Sequence, residues 1–388
     1  MRKGFGMDFG QIREKEFPVA KNVIYLNHAG VSPIPVRAAT GGVEQIREYL
    51  NYGAYNPRGW KDISDRGREL FADLIGSSPE EVAFIKNTSE GISFIAGGFP
   101  WKEGRNIVTT AYEFPSNLYP WLALKDRGVE VRAVAPKEGR VPTEKIFDAV
   151  DRNTDLVSIS SVEFINGFRH DLARIGEFCR KRGVLFFVDA IQSLGVIPMD
   201  VEEYKIDFLA ADGHKWLLSI EGIGCLYLSH RVMDRIRPIE YGWHSVKNRF
   251  DFESIDFTLD ETAKRFEPGS FNTLSISIFN KSLELIDEAG VERIYEKVKE
   301  LIDHLFEKVD PQFRIITPKE EKERSGIFTV VIPGSEPQAL WRRLLEKKVV
   351  ASPRGGGIRV SPHFYNTHEE IDLFLELLRE SVRELRDT

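Results

Sequence analysis

Two residues 26 positions apart, Asp189 and Lys215, carry the most legible chemistry in this chain. Asp189 closes the apolar run Val184-Leu185-Phe186-Phe187-Val188, and Lys215 stands in Gly213-His214-Lys215-Trp216, just past the apolar run Ile206–Ala211. A carboxylate ending a buried strand is costly unless a cation or a hydrogen-bond donor meets it. A lysine at a strand-to-loop edge supplies an amine. Pyridoxal phosphate needs both: an amine to hold it as a Schiff base, and a carboxylate to keep its ring nitrogen protonated so that the ring accepts electrons from a carbanion. Singly, Lys215 reads as a solvated lysine and Asp189 as a helix N-cap. The pairing points to amino-acid chemistry.

A phosphate needs a cradle. Asn87-Thr88-Ser89-Glu90-Gly91 follows the strand candidate Val82–Lys86 and opens the helix-like Ile92–Ala96. The free amides and hydroxyls of such a helix start suit a phosphate, although Thr88 or Ser89 would serve equally as a plain cap. His214 and Ser270 are further phosphate candidates, and Gln192, three residues beyond Asp189, reaches toward the cofactor's phenolic oxygen.

These residues need a rigid frame. The runs Val82–Lys86, Asn106–Thr110, Val129–Val134, Leu156–Ser160, Val184–Asp189, Ile206–Ala211 and Ile223–Leu228 mostly lack polar alternation, as expected of strands buried on both faces. Helix-like segments lie between several of them, among them Leu172–Arg182, which stops at Gly183. The alternation predicts a mostly parallel sheet covered by helices. Beyond about residue 286 the pattern changes to charged helices, then to the strand candidates Phe313–Ile316, Gly326–Ile332, Lys348–Ala351 and Gly357–Val360. A last helix starts at a capping box, Thr367 with Glu370, and carries the stripe Ile371, Phe374, Leu375, Leu378, Val382 and Leu385. We expect an N-terminal segment 1–22 packing with the small domain, a large domain 23–285 and a small α+β domain 286–388.

Composition narrows the class. A chain of 388 residues with 42 % apolar and 29 % charged content is ordinary for a soluble globular protein, and a net charge of −7 disfavours a nucleic-acid partner. The two cysteines, Cys179 and Cys225, have no metal-ligand spacing, so no metal is expected and a reducing cytoplasm is the simplest location. The amino end lacks the apolar core of a signal peptide, and no apolar run approaches the ~20 residues that span a bilayer.

Together these residues resemble the class V aminotransferases among the fold-type-I pyridoxal phosphate enzymes, a group that includes cysteine desulfurases, selenocysteine lyases, kynureninases and isopenicillin N epimerase-like proteins. The matching stretches are Tyr25-Leu26-Asn27-His28-Ala29-Gly30, Asn87–Gly91, Glu113-Phe114-Pro115-Ser116-Asn117, Asp189-Ala190-Ile191-Gln192, Gly213-His214-Lys215 and the run from Arg359 to Thr367. The resemblance implies an α/β fold with a mostly parallel seven-stranded sheet and a smaller α+β domain, forming a homodimer with active sites at the subunit interface. It implies that Lys215 carries the cofactor, Asp189 pairs with the ring nitrogen, and Gln192 and Asn166 meet the phenolic oxygen. Thr88, Ser89 and His214 would hold the phosphate, with Ser270 reaching that of the neighbouring subunit, and Arg359 would grip the substrate carboxylate, which its planar fork suits.

Two departures bear on the reaction. Cysteine desulfurases stack a histidine on the cofactor ring where this chain has Phe114, which stacks but moves no proton. They also carry a nucleophilic cysteine shortly before the arginine, where this chain reads Ser352-Pro353-Arg354-Gly355-Gly356-Gly357. Persulfide chemistry needs a thiolate there, so transamination or side-chain lysis without it is the first expectation. A desulfurase or desulfinase-like lyase, a racemase or epimerase, and a non-catalytic cofactor-binding homologue are the alternatives. Arg354 and its glycines read as a mobile lid. Asn27, His28, Arg58, Arg169, Trp243 and His244 are the remaining substrate-pocket candidates.

Overall fold

The structure, a computed structural model, describes residues 8–386. Seven strands form the central sheet: β1 (Val82–Ile85), β2 (Asn106–Thr110), β3 (Glu130–Val134), β4 (Thr154–Ser160), β5 (Leu185–Asp189), β6 (Phe208–Asp212) and β7 (Gly224–Leu228). Their order across the sheet is β1-β7-β6-β5-β4-β2-β3, and β7 alone runs against the others. Both faces are buried, as the apolar runs require, except at the edge strand β3, where Glu130 and Ala133 are exposed. Phe186 and Val188 of β5 join one apolar cluster and Leu185 and Phe187 the other, because successive side chains point to opposite faces.

Helices cover the sheet with their ends chemically marked. Those used below are α1 (Phe9–Glu16), α2 (Val36–Tyr52), α3 (Pro57–Ile75), α4 (Thr88–Gly98), α5 (Leu172–Arg182), α6 (Thr273–Ala289), α7 (Val291–Lys308), α8 (Pro337–Glu346) and α9 (His368–Arg386). Asp171 caps α5 by accepting from the Arg174 amide, and Gly183 ends it at φ 68°. The predicted capping box of α9 is present in both halves: the Glu370 amide donates to Thr367 Oγ1 at 3.3 Å, and the Thr367 amide to Glu370 Oε2 at 3.0 Å. Gly290, at φ 79°, separates α6 from α7.

A second sheet of four antiparallel strands has the order β10-β11-β9-β8, with β8 (Arg314–Ile315), β9 (Phe328–Val331), β10 (Ser352–Arg354) and β11 (Gly357–Val360). The described part of the N-terminal segment packs against this C-terminal region. Arg13 pairs with Glu370 at 2.7 Å, Phe17 stacks on Tyr365, and Ile24–Tyr25 run parallel to Val349–Val350. Among the described residues no helix is long and apolar enough to cross a membrane, and no group of histidine, cysteine or acidic residues has the arrangement of a metal site.

Candidate active site

Parallel strands release their C-terminal ends at one edge of a sheet, and ligands of such folds gather there. β1, β4, β5 and β6 all deliver chemistry to that edge: β1 leads to Asn87, β4 ends at Ser160, β5 at Asp189 and β6 at Asp212. A cavity of about 270 Å³ opens there, bordered by Thr88, Ser89, Phe114, Asp189, Gln192, His214, Lys215, Arg354 and Arg359. The structure therefore brings nine of the residues predicted from sequence into one chamber.

At its base, Asp189 is 2 % exposed and accepts the Ile191 amide at 3.0 Å. Burial pushes its carboxyl up to about 6, against the pull of that amide and of Lys215. A buried carboxylate with this environment suits a protonated ring nitrogen. Burial likewise pushes the Lys215 amine down to about 8; Asp189 opposes the shift, and Arg359 and Arg354 add to it. An amine with that value reaches its nucleophilic neutral form near physiological pH. Gln192 is fixed at both ends of its amide, donating to Ala29 O and accepting from Trp216 Nε1, each at 3.1 Å.

The phosphate end is the first turn of α4. Asn87 caps it by accepting the Glu90 amide at 3.0 Å, so the hydroxyls of Thr88 and Ser89 are not spent on capping. Thr88 Oγ1 is buried without a partner, and Ser89 Oγ donates to Ser116 Oγ at 2.8 Å. His214 Nδ1 lies 3.1 Å from Asp212 Oδ1. An orphaned hydroxyl, free helix amides and a histidine at one end, with Lys215 and Asp189 at the other, fit pyridoxal phosphate.

The cavity is also lined by Arg359, which is 3 % exposed. Its Nη1 donates to Phe164 O at 2.8 Å and its Nε has no partner. Burial lowers its basicity to about 9, and Arg354 adds to the effect. Phe114 meets Phe164 edge-on at 5.2 Å, and Lys215 Nζ lies 5.6 Å from the Phe114 ring centre.

Several expectations need correcting. Asn166 does not border the cavity: its amide donates to Gly139 O at 2.6 Å and Ile316 O at 3.3 Å, and Phe164, two residues earlier, takes the place at the wall. His28 is fully buried, bonded to Ser361 O and Tyr365 Oη at 2.8 Å each; burial holds it down at about 4, a neutral core residue. Asn27 bridges Ser361 and folds over Gly30, where a Cβ would come within 2.6 Å of it; Ala29 and Gly30 line the cavity instead. Arg354 and its glycines, expected to form a mobile lid, make a two-residue hairpin between β10 and β11, with Gly355 at φ 61° and Gly356 at φ 76°.

Other candidates lie elsewhere on the chain. Arg58 is exposed at the start of α3, and Arg169 donates to Tyr295 Oη beside a separate cavity. Trp243 and His244 sit in an aromatic group with Phe250, Phe252 and Phe271, and Ser270 borders a different cavity, next to Glu267 and Phe271. Sequence reasoning overlooked Phe164 and Ser116, and also the buried acids behind Asp189. Glu113 accepts from the Ser160 amide and hydroxyl at 2.7 and 2.6 Å, while Glu163 accepts from Thr110 at 2.8 Å beside His170. The quoted stretch around Phe114 held Ser116 and Glu113; nothing local singles out Phe164.

A family model described as Aminotransferase class-V matches residues 24–374. A probable cysteine desulfurase from Methanothermobacter thermautotrophicus is 31 % identical, over 94 % of this chain and 96 % of that protein. The apo structure of a cysteine desulfurase from Thermococcus onnurineus NA1 superposes with a TM-score of 0.87 at 25 % identity, covering 96 % of this chain and 98 % of the other. The fold is shared at the same score, with 22 % identity, by a cystine C-S lyase in complex with cysteine persulfide, covering 94 % and 99 % of the two chains.

Proposed function

The chain belongs to the class V aminotransferase family, and on that premise we propose that it converts a small amino acid by transamination or side-chain lysis without a thiol nucleophile. The enzyme depends on pyridoxal phosphate, which supplies an electron sink for a carbanion at the substrate's α-carbon. The observation that carries the reading is the convergence of Lys215, Asp189 and Arg359 on one cavity.

Each residue has a task. Lys215 would hold the cofactor through its amine and would take and return a proton at the substrate's α-carbon. Asp189 would hold the ring nitrogen protonated, Gln192 would meet the phenolic oxygen, and Phe114 would stack on the ring. Thr88, Ser89 and His214 bind phosphate, and Arg359 binds the α-carboxylate through its unpartnered Nε.

The cysteines argue against persulfide transfer. The hairpin before Arg359 contains neither; Cys179 lies in α5 and Cys225 in β7, both buried, and burial pushes both thiols far up. A desulfurase on this chain would need another sulfur acceptor. The names of the similar proteins keep cysteine among the substrates to try.

Assembly and location belong to the same proposal: a cytoplasmic homodimer, with domains 23–285 and 286–388 and the segment 1–22 on the second. Tyr241, Trp243, Phe250, Phe252, Ile255 and Phe257 are exposed in one loop region, which supports a subunit contact there. Ser270 and Trp243 would then serve the partner's site.

Purified protein loaded with cofactor should show visible absorbance that Lys215→Ala shifts or loses, along with all turnover. Products from a panel of amino acids then assign the reaction: a keto acid with aminated cofactor, or alanine with a released side chain. Full turnover by Lys215→Ala would refute the proposal.

A further inference from the structure

Arg354 and Arg359 share one face of a hairpin. Ser352 pairs directly with Arg359 across β10 and β11, and Arg354 is two residues along β10 from Ser352. Side chains two apart on a strand point the same way, so the two arginines are diagonal neighbours, about 7–8 Å apart at their backbones. The turn that holds this register needs two consecutive left-handed residues, which Gly355 and Gly356 supply. Pro353 is tolerated because β10 is the edge strand of its sheet.

Both side chains border the cavity, and neither has an acid. Among the described residues no ion pair joins Arg354 or Arg359 to an aspartate or glutamate; Arg354 Nη1 donates only to Pro353 O, at 2.9 Å. The acids that do border the cavity are committed elsewhere, Asp189 at the Lys215 end and Asp212 beside His214. Arg359 is nearly fully buried and Arg354 is exposed where it borders the cavity, and the two cations repel each other and Lys215. One α-carboxylate compensates one of the two arginines.

We infer that the preferred substrate carries a second anionic group on its side chain, a carboxylate or a sulfinate, which Arg354 receives while Arg359 takes the α-carboxylate. The inference rests on the amino-acid chemistry proposed above and adds the class of side chain. Charge-assisted bonds to a planar guanidinium favour such groups over the neutral amides of the same shape. Phe114 and Phe164 line the same cavity, so a neutral polar side chain beside them gains little.

The test is a titration of the cofactor-loaded enzyme, followed by its visible spectrum, with aspartate, glutamate, cysteine sulfinate, asparagine, glutamine and alanine. Calorimetry with glutarate against butyrate gives binding without turnover. Acidic ligands should half-saturate at concentrations at least about tenfold below their neutral counterparts. Arg354→Gln should erase that ratio by weakening the acidic ligands far more than the neutral ones, whereas Arg359→Gln should weaken both classes. A preference for cysteine sulfinate over aspartate and glutamate would identify the second anion as a sulfinate, and the reverse order as a carboxylate.

Equal response to acidic and neutral ligands, or an Arg354→Gln variant that weakens both classes alike, would overturn the inference and leave the proposed function standing. The second result would place both arginines on the α-carboxylate. Protein that takes up no cofactor would overturn both.

Discussion

Arg68 and Arg359 are buried to nearly the same degree, at 2 % and 3 % exposure, yet their surroundings are opposite. Arg68 donates to Glu267 at 2.6 Å and lies over the faces of Phe84 and Phe271. Glu267 in turn accepts the Phe84 amide at 2.8 Å, so the pair ties α3 and β1 to the loop that carries Ser270. Arg359 has one carbonyl and a second arginine for company. A buried guanidinium whose carboxylate lies within the chain is part of the architecture. One without such a partner is poised for an anion from outside, and its cost is borne by the rest of the fold.

The contrast predicts opposite responses to mutation. Arg68→Ala strands Glu267 in the core and should destabilise the protein by about 3–5 kcal/mol, read by denaturant unfolding. Arg359→Gln should leave the unfolding midpoint of the cofactor-free protein unchanged or slightly raised, while lowering kcat/KM about a hundredfold through loss of roughly 3 kcal/mol of charged hydrogen bonding. A large loss of stability in Arg359→Gln would erase the distinction between the two sites.

Asp189 extends the contrast to an acid. In the cofactor-free protein its carboxyl is held up to about 6 by burial, above the ordinary 3.8, with Asp212 reinforcing the shift and Lys215 opposing it. Between those values the folded state binds more protons than the unfolded one, so this group's contribution to stability is lost as pH rises through about 6. Asp189→Asn should therefore raise the melting temperature of cofactor-free protein at pH 8, have little effect at pH 4, and weaken cofactor retention at both. Equal melting temperatures at pH 8 would place a compensating cation beside Asp189.

The smallest expected effect sharpens the role of the hairpin. Gly356 has φ 76° and open space where a Cβ would stand, so Gly356→Ala carries backbone strain alone, about 1 kcal/mol. By tilting Arg354 it should weaken acidic ligands a few-fold while neutral ligands bind as before. Spectral titration reads the difference.

What was legible in the sequence follows from physics that acts locally. All seven strands of the main sheet stand within two residues of the expected runs, mostly because burial on both faces writes itself into consecutive positions; the edge strand β3, partly exposed, shows instead as alternation. Lys215 and Asp189 were legible because each is chemically misplaced at a strand end unless a ligand explains it. The strand Ser352–Arg354 was hidden by Pro353 and three glycines, although consecutive glycines are themselves a hairpin signal. Asn166 and Phe164 could not be told apart, since what turns Asn166 away is Gly139 on one side and Ile316 on the other, both remote in sequence. His28 was misplaced for the same reason: its partners, Ser361 and Tyr365, lie over 330 residues further on.

The single reversed strand, β7, has a consequence for how the molecule comes into being. Among the described residues β1, which launches the phosphate turn, has one sheet neighbour, β7, with Val82 opposite Tyr227. Until the ribosome has passed that point β1 has nothing to pair with, and the hairpin bearing Arg359 arrives later still. Pairings so distant along the chain close slowly. Cofactor uptake should therefore begin only once β7 and the hairpin bearing Arg359 are in place.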